Sequence, residues 1–231
     1  MKKDYTHLCI VLDASGSMAS IENDIKGSFN ALLAEQKKFP GKTAFDLFQF
    51  SGNVTHLVKS ADLSRFDEDL MEKYCCSGCT ALNDAVCTAI DTMGRNFSAM
   101  AEEERPEHVL CVIITDGFEN ASKEFTSADV KKRIERQRDE YKWEFRFIAA
   151  DQDAWETGSQ MGLLEKHCIT FERSADGVED MACCICHNLA DIRLFGHSIN
   201  HIPEEKNSGK DPAKKDSIFS KVKSLFSKES K

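Results

Sequence analysis

The chain has 231 residues, 41% hydrophobic and 30% charged, with a formal net charge of −9. That length suits one domain, or one domain with a tail, around a single large core, and the acidic balance argues against a nucleic-acid surface over the body of the protein. The charge is uneven: eight lysines stand against five acids from Glu204 onward, leaving 22 basic and 34 acidic groups in the first 203 residues and making the end of the chain basic.

Met1–His7 leads directly into an apolar segment with no separate hydrophobic leader, and no apolar stretch approaches the length that crosses a bilayer. The expected location is the cytosol, where the ten cysteines would be mostly reduced. Leu8–Leu12, five apolar residues without polar alternation, predicts a strand buried on both faces, as in the middle of a parallel sheet. It stops at Asp13-Ala14-Ser15-Gly16-Ser17, which falls at the carboxyl end of that strand, where open α/β sheets place their ligands. Spacing of two turns three short oxygen-bearing side chains toward one point, with Gly16 expected to relieve the backbone. Oxygen donors of this kind suit a hard cation such as magnesium.

Ile21, Ile25, Phe29, Leu32 and Leu33 mark one face of a helix running to about Lys38, stopped by Pro40-Gly41. Thr43–Phe50 and Val54–Val58 form a hairpin about Ser51-Gly52-Asn53. Asp62–Lys73 reads as a polar loop with a helical turn. Leu82, Ala85, Val86, Ala89, Ile90, Met93 and Phe97 then give a long amphipathic helix with Thr80 near its cap. After a charged loop at Glu102–Glu107, His108–Thr115 is a second continuous apolar strand, ending at Asp116-Gly117. Asp129–Tyr141 is a helix whose basic run (Lys131, Lys132, Arg133, Arg136, Arg138), mixed with acids, reads as a solvated face.

Trp143–Ala150 is a fifth strand; Asp151, Gln152 and Asp153 follow on the same sheet edge, before a short helix stopped by Gly162. Asp153 is equally readable as the cap of that helix. His167–Phe171 is a sixth strand, and Val178, Met181, Ala182, Ile185, Leu189 and Ile192 line a last core helix. Strands alternating with helices predict a three-layer, doubly wound, Rossmann-like α/β domain over residues 1–202. Its sheet is mostly parallel with one antiparallel edge strand, and helices cover both faces. Residues 203–216 read as a flexible linker. Residues 217–231 are a basic amphipathic segment in which Ile218, Phe219, Val222, Leu225 and Phe226 fall within an arc of about 120°.

Asp13-x-Ser15-x-Ser17, then Thr80 after a Gly-containing loop, then Asp116-Gly117 after an apolar strand, together resemble the metal-ion-dependent adhesion site of von Willebrand factor type A domains. The resemblance covers roughly Thr6 to Phe195. It implies Mg²⁺ (or Mn²⁺) held by Asp13, Ser15, Ser17, Thr80 and Asp116, with the hydroxyls bound directly and the two carboxylates acting largely through waters. An open position then remains for an Asp or Glu of a protein partner. Cys79 precedes Thr80 where relatives usually have Gly, and is expected to stiffen the loop or crowd the ion. The stretch Ala149–Ala154 looks like a segment of standalone bacterial members, so the resemblance further implies an adaptor in multi-protein assemblies, including ones with AAA+ ATPases or stress-response operons.

Two other classes compete. A Mg²⁺-dependent hydrolase would want a second acid where Ser15 stands, and the chain has neither a paired base for the serines nor a Gly-rich phosphate loop, so no enzymatic activity is expected. A scaffold tethered to an anionic membrane would use the 217–231 segment, although one short helix with few lysines binds a membrane only marginally. Cys76/Cys79 and Cys183/Cys186, with His187 one turn from Cys183, have zinc-like local spacing. Core or half-buried thiols are the favoured reading for these pairs, and Cys9, Cys87, Cys111 and Cys168 read as core.

Overall fold

The computed structural model describes residues 1–65, 71–151 and 154–198. The expected linker and amphipathic segment, and Gln152 and Asp153 at the sheet edge, lie outside the described residues.

Six strands form one sheet in the order β3-β2-β1-β4-β5-β6. The strands β1 (Lys2–Asp13), β2 (Lys42–Phe50), β4 (Pro106–Thr115), β5 (Glu144–Ala150) and β6 (Cys168–Phe171) run parallel; β3 (Val54–Asp62) is antiparallel to β2 at one edge. In register, Leu8 lies between Phe45 and Leu110, and Ile10 between Leu47 and Val112. Leu8, Ile10 and Leu12 point into the layer formed with α1 (Glu22–Gln36) and α5 (Ala175–Phe195). Cys9 and Val11 point the other way, into the layer with α2 (Leu82–Ser98) and α3 (Ser127–Tyr141). This two-sided burial is why Leu8–Leu12 shows no polar alternation. The short α4 (Ala154–Gln160) follows β5 and buries Ala154 in the second layer.

The strands extend beyond their apolar centres. β1 starts at Lys2, where the partner strand supplies hydrogen bonds although the side chains are exposed. β3 runs on to Asp62 through an irregular register that carries Ser60 at φ 46°, a bulge of the sort edge strands use. Each helix buries the face that the sequence periodicity marks: Ile25, Phe29 and Leu32 in α1, Ala85, Ile90 and Met93 in α2, Val178, Ile185 and Leu189 in α5. The basic face of α3 is neutralised locally. Arg133 holds Asp91 through two nitrogens, Arg136 pairs with Glu140, and Arg138 with Asp139. Among the described residues no helix is long and apolar enough to cross a membrane.

Because five strands are parallel, Asp13, Thr115 and Ala150 all end at one edge of the sheet. The chain leaves β1 toward β2 on one side, while β4 to β6 occupy the other. The gap between the carboxyl ends of β1 and β4 is therefore the switch point of the winding.

Candidate metal centre

At that switch point the β1 loop and the β4 loop meet. Ser15 Oγ lies 3.0 Å from Ser17 Oγ, and Ser17 donates to Asp116 Oδ1 at 2.6 Å. Asp13 is fully buried and both its oxygens are engaged: the Ser15 amide donates to Oδ1 at 2.7 Å, and Thr115 Oγ1 donates to Oδ2 at 2.6 Å. Burial pushes the Asp13 carboxyl up, against the hydrogen bonds from Thr115 and Ser15 that favour its charge. The Asp116 side chain is also buried, yet its Oδ2 accepts no hydrogen bond. Thr80 is buried and packs against the chain just past Asp116: a Cβ placed on Gly117 would sit 3.3 Å from Thr80 Oγ1. Hydrogen bonds thus link Asp13, Ser15, Ser17 and Asp116 in a crevice at the ends of β1 and β4, with the buried Thr80 beside Gly117 and Ser17 exposed.

The backbone around the crevice is held from several directions. Gly16 donates its amide to Gly78 O at 3.0 Å, and Ser77 to Ala14 O at 2.7 Å, so the loop before Thr80 is laced to the β1 loop. Gly78, at φ 80°, takes the left-handed conformation in the loop that delivers Thr80. Cys79 is exposed, so its side chain faces solvent. Tyr74, buried, donates its hydroxyl to the carbonyl of Asp13 at 2.6 Å.

Thr80 does not cap α2. Ala81 occupies the cap position without a side-chain bond, and the first-turn amides are met by a loop about forty residues later. Glu119 accepts from Asn83 at 2.7 Å, and Ser122 Oγ from Asp84 at 3.0 Å. Asn120 accepts the Thr80 amide at 2.9 Å and returns its own amide to Thr80 O. Glu119 also takes the amides of Ala121 and Ser122 and the Ser122 hydroxyl; burial opposes its charge, but these hydrogen bonds hold its carboxyl below the usual carboxylate range. The residues between Asp116 and α3 therefore form a clamp that fixes Thr80 relative to Asp116.

Arg173, in the connection from β6 to α5, adds a cation to the crevice. Its Nη1 lies 3.3 Å from Asp116 Oδ2 and its Nε 3.2 Å from Asp151 Oδ2. Both contacts are ionic in distance, while Asp116 Oδ2 and Arg173 Nε lack aligned hydrogen bonds. Asp151, at the end of β5 with φ 50°, receives the Arg173 amide on Oδ1 at 3.0 Å. Asp151 stands at the sheet edge after β5, where the sequence set it. Arg173, Tyr74, Thr115, Glu119 and Asn120 carry no motif, and only Thr115, next to Asp116 on the strand, had a positional signal.

The cysteine pairs stand apart in environment. Cys186 is buried in α5 and its sulfur receives Gln36 Nε2, whereas Cys76 is half-buried and Cys79 exposed on the Thr80 loop. Cys183 Sγ lies 3.4 Å from His187 Nδ1, and burial pushes the Cys183 and Cys76 thiols up to about 12, which keeps them protonated. Among the described residues no group of three or more His, Cys, Asp or Glu side chains is placed to hold a metal ion. Cys9, Cys87 and Cys111 are core; Cys168 is half-buried, on the edge strand β6.

The fold is a doubly wound open α/β sheet with hydroxyls and carboxylates at its switch point, the edge where such sheets place ligands. A family model for the von Willebrand factor type A domain matches residues 7–181, and the chain belongs to that family. Among solved structures, proximal thread matrix protein 1 from the mussel byssus matches with TM-score 0.61 and 14% identity, over 82% of this chain and 49% of that one. The same mussel protein with a zinc-occupied MIDAS motif gives 0.56 and 16%, over 80% and 47%. The D319A mutant of the PilB minor pilin from Streptococcus sanguinis gives 0.58 and 9%, over 82% and 62%. At these identities the likeness is one of fold, and the chain spans about half the length of the mussel protein. No curated protein matches the chain in sequence.

Proposed function

We propose that this domain is a divalent-cation-dependent protein-interaction module that captures an Asp or Glu side chain of a partner. The observation that carries the reading is the buried Oδ2 of Asp116, a carboxylate oxygen without a hydrogen-bond donor, in the same crevice as the hydroxyls of Ser15 and Ser17. A buried anionic oxygen with no aligned hydrogen bond, faced among the described residues only by the partly exposed Arg173 guanidinium at 3.3 Å, is under-satisfied, and a divalent cation is the group that relieves it. Ser15, Ser17, Thr80 and Asp116 would hold the ion, and Asp13, fixed by Thr115 and the Ser15 amide, would orient its surroundings. Hard oxygen donors favour Mg²⁺ or Mn²⁺; the zinc in the related mussel protein supports a divalent ion at this position of the fold. When bound, the ion supplies an electrophilic position for a carboxylate oxygen. Phe118, 58% exposed and directly after Gly117, offers apolar contact beside it.

This reading makes the protein an adaptor and not an enzyme: the sequence has no Gly-rich phosphate loop, and Ser15 stands where a phosphoryl-transfer site would want a second acid. A cytoplasmic, reducing setting suits a chain with ten cysteines, six of them buried, and an assembly with an AAA+ ATPase or an operon-encoded complex fits such an adaptor. The test is affinity capture from the source cytosol with Mg²⁺ or with EDTA, repeated with Asp116→Ala. Partners recovered only with Mg²⁺ and wild-type bait are expected. A partner set indifferent to EDTA and to the substitution removes the ion from the function.

A further inference from the structure

The β6–α5 connection is built to hold one side chain. Ser174 caps α5 by accepting the Gly177 amide at 3.1 Å, and Gly177 passes so close to Glu172 that a Cβ there would lie 2.1 Å from the Glu172 carbonyl oxygen. Asp151 meets the same segment from β5: it receives the Arg173 amide on one oxygen and faces Arg173 Nε with the other, while its own amide donates to Phe171 O. Asp151 does this in the left-handed region at φ 50°, a conformation that needs support from its surroundings in a non-glycine residue. The Arg173 side chain, 29% exposed, is thereby aimed at the buried Asp116 carboxylate, 3.3 Å from Oδ2.

From this geometry we infer that Arg173 is a built-in cation that competes with the divalent ion for Asp116 and so sets the metal affinity of the crevice. The inference rests on the metal reading above and adds a determinant that the family motif does not contain. Two buried carboxylates, Asp13 and Asp116, would otherwise face each other's field, with no other ion pair to Asp116 among the described residues. The Arg173 guanidinium, 3.3 Å from Oδ2, supplies the positive charge there. Binding a divalent ion then exchanges one cation for another at Asp116, and the ion must enter against the field of Arg173. A partly exposed charge a few ångströms away is screened, which makes the expected effect modest.

The experiment titrates the full chain with Mn²⁺ by calorimetry at fixed ionic strength, comparing wild type with Arg173→Gln, Arg173→Met and Arg173→Lys, with Asp116→Asn as the loss-of-site control. Removal of the charge is expected to tighten Mn²⁺ binding on the order of threefold to tenfold, whereas Arg173→Lys stays near wild type. The second readout is thermal unfolding. The upward shift on adding Mn²⁺ should be larger in Arg173→Gln than in wild type, because the metal-free variant has lost the cation that wild type keeps. Two neutral replacements of different shape guard against a folding defect particular to one. Wild type that binds Mn²⁺ with both neutral variants unchanged or weaker overturns the role of Arg173 and leaves the metal reading standing. Absence of Mn²⁺ binding in wild type and in both neutral variants overturns the metal reading itself, and this inference with it.

Discussion

Asp46 sits in the middle of β2 with no solvent exposure. It tolerates this because its Oδ2 faces His7 Nε2 at 2.6 Å and Ser60 Oγ at 3.1 Å, while Oδ1 faces His56 Nε2 at 2.5 Å. His56 in turn stacks on Phe48 at 3.9 Å between ring centres, and His7 meets Phe97 edge-on at 5.0 Å. Burial works against the Asp46 charge, but the hydrogen bonds and charge of His7, then the bond from His56, hold its carboxyl below the ordinary range. The folded chain therefore keeps Asp46 ionised to lower pH than the unfolded chain does. The associated stability is fully present above the unfolded value, about 4, and is lost as pH falls through the folded one. Asp46→Asn should cost about 2–4 kcal/mol at neutral pH by leaving the buried His7 and half-buried His56 imidazoles mispaired. It should also flatten the acid limb of a denaturation-versus-pH curve below about pH 4. A variant with wild-type stability and an unchanged acid limb would show that the cluster contributes nothing net.

At the scale of elements, the crevice depends on loops that its motif residues do not include. Thr80 is placed by the residues following Asp116, through Asn120 and Glu119, and Arg173 by the tight turn into α5. Gly177 is the point where that turn has no tolerance, since any side chain would meet the Glu172 carbonyl. Gly177→Ala must therefore shift the backbone or strain it, at an expected cost of about 1–3 kcal/mol in urea denaturation. The shift should carry Arg173 with it, so Mn²⁺ affinity should rise in the same direction as in Arg173→Gln. Normal stability together with unchanged Mn²⁺ affinity would mean that the connection relaxes without moving Arg173. By contrast, the pairs on α3, such as Arg136–Glu140, are exposed ion pairs and contribute little.

For the whole molecule, the metal ion and the fold are linked because the crevice joins the first strand to the fourth. A ligand that binds only the folded state stabilises it by RT ln(1 + [L]/Kd), about 2.7 kcal/mol at a hundredfold excess over Kd. Saturating Mg²⁺ or Mn²⁺ should therefore raise the melting temperature by several degrees, with EDTA reversing it and Asp116→Asn abolishing it. A melting curve insensitive to both ions and to chelator would contradict a site formed by the native fold. The acidic body of the first 203 residues also favours cation approach in general, so the comparison with Asp116→Asn is what separates the site from the field.

Residues whose role is set by neighbours along the chain were readable before any coordinates. Leu8–Leu12 and His108–Thr115 announced central strands because burial on both faces removes polar alternation, and Ile25-Phe29-Leu32 announced a helix because one face must be apolar every three to four residues. The parallel sheet with its antiparallel edge followed from strand and helix order. The hydroxyl-carboxylate loop followed from where strand β1 stops. Element ends were less legible: β1 reaches back to Lys2 and β3 on to Asp62, since backbone pairing with a neighbour needs no apolar side chain. Only the tertiary structure decided that Gly78 takes a left-handed turn, that Glu119 and Ser122 serve the start of α2 in place of Thr80, and that Arg173 faces Asp116. Those contacts join segments tens of residues apart. A single sequence records the charge and size of each partner but not which two loops the winding of the sheet brings to the same edge.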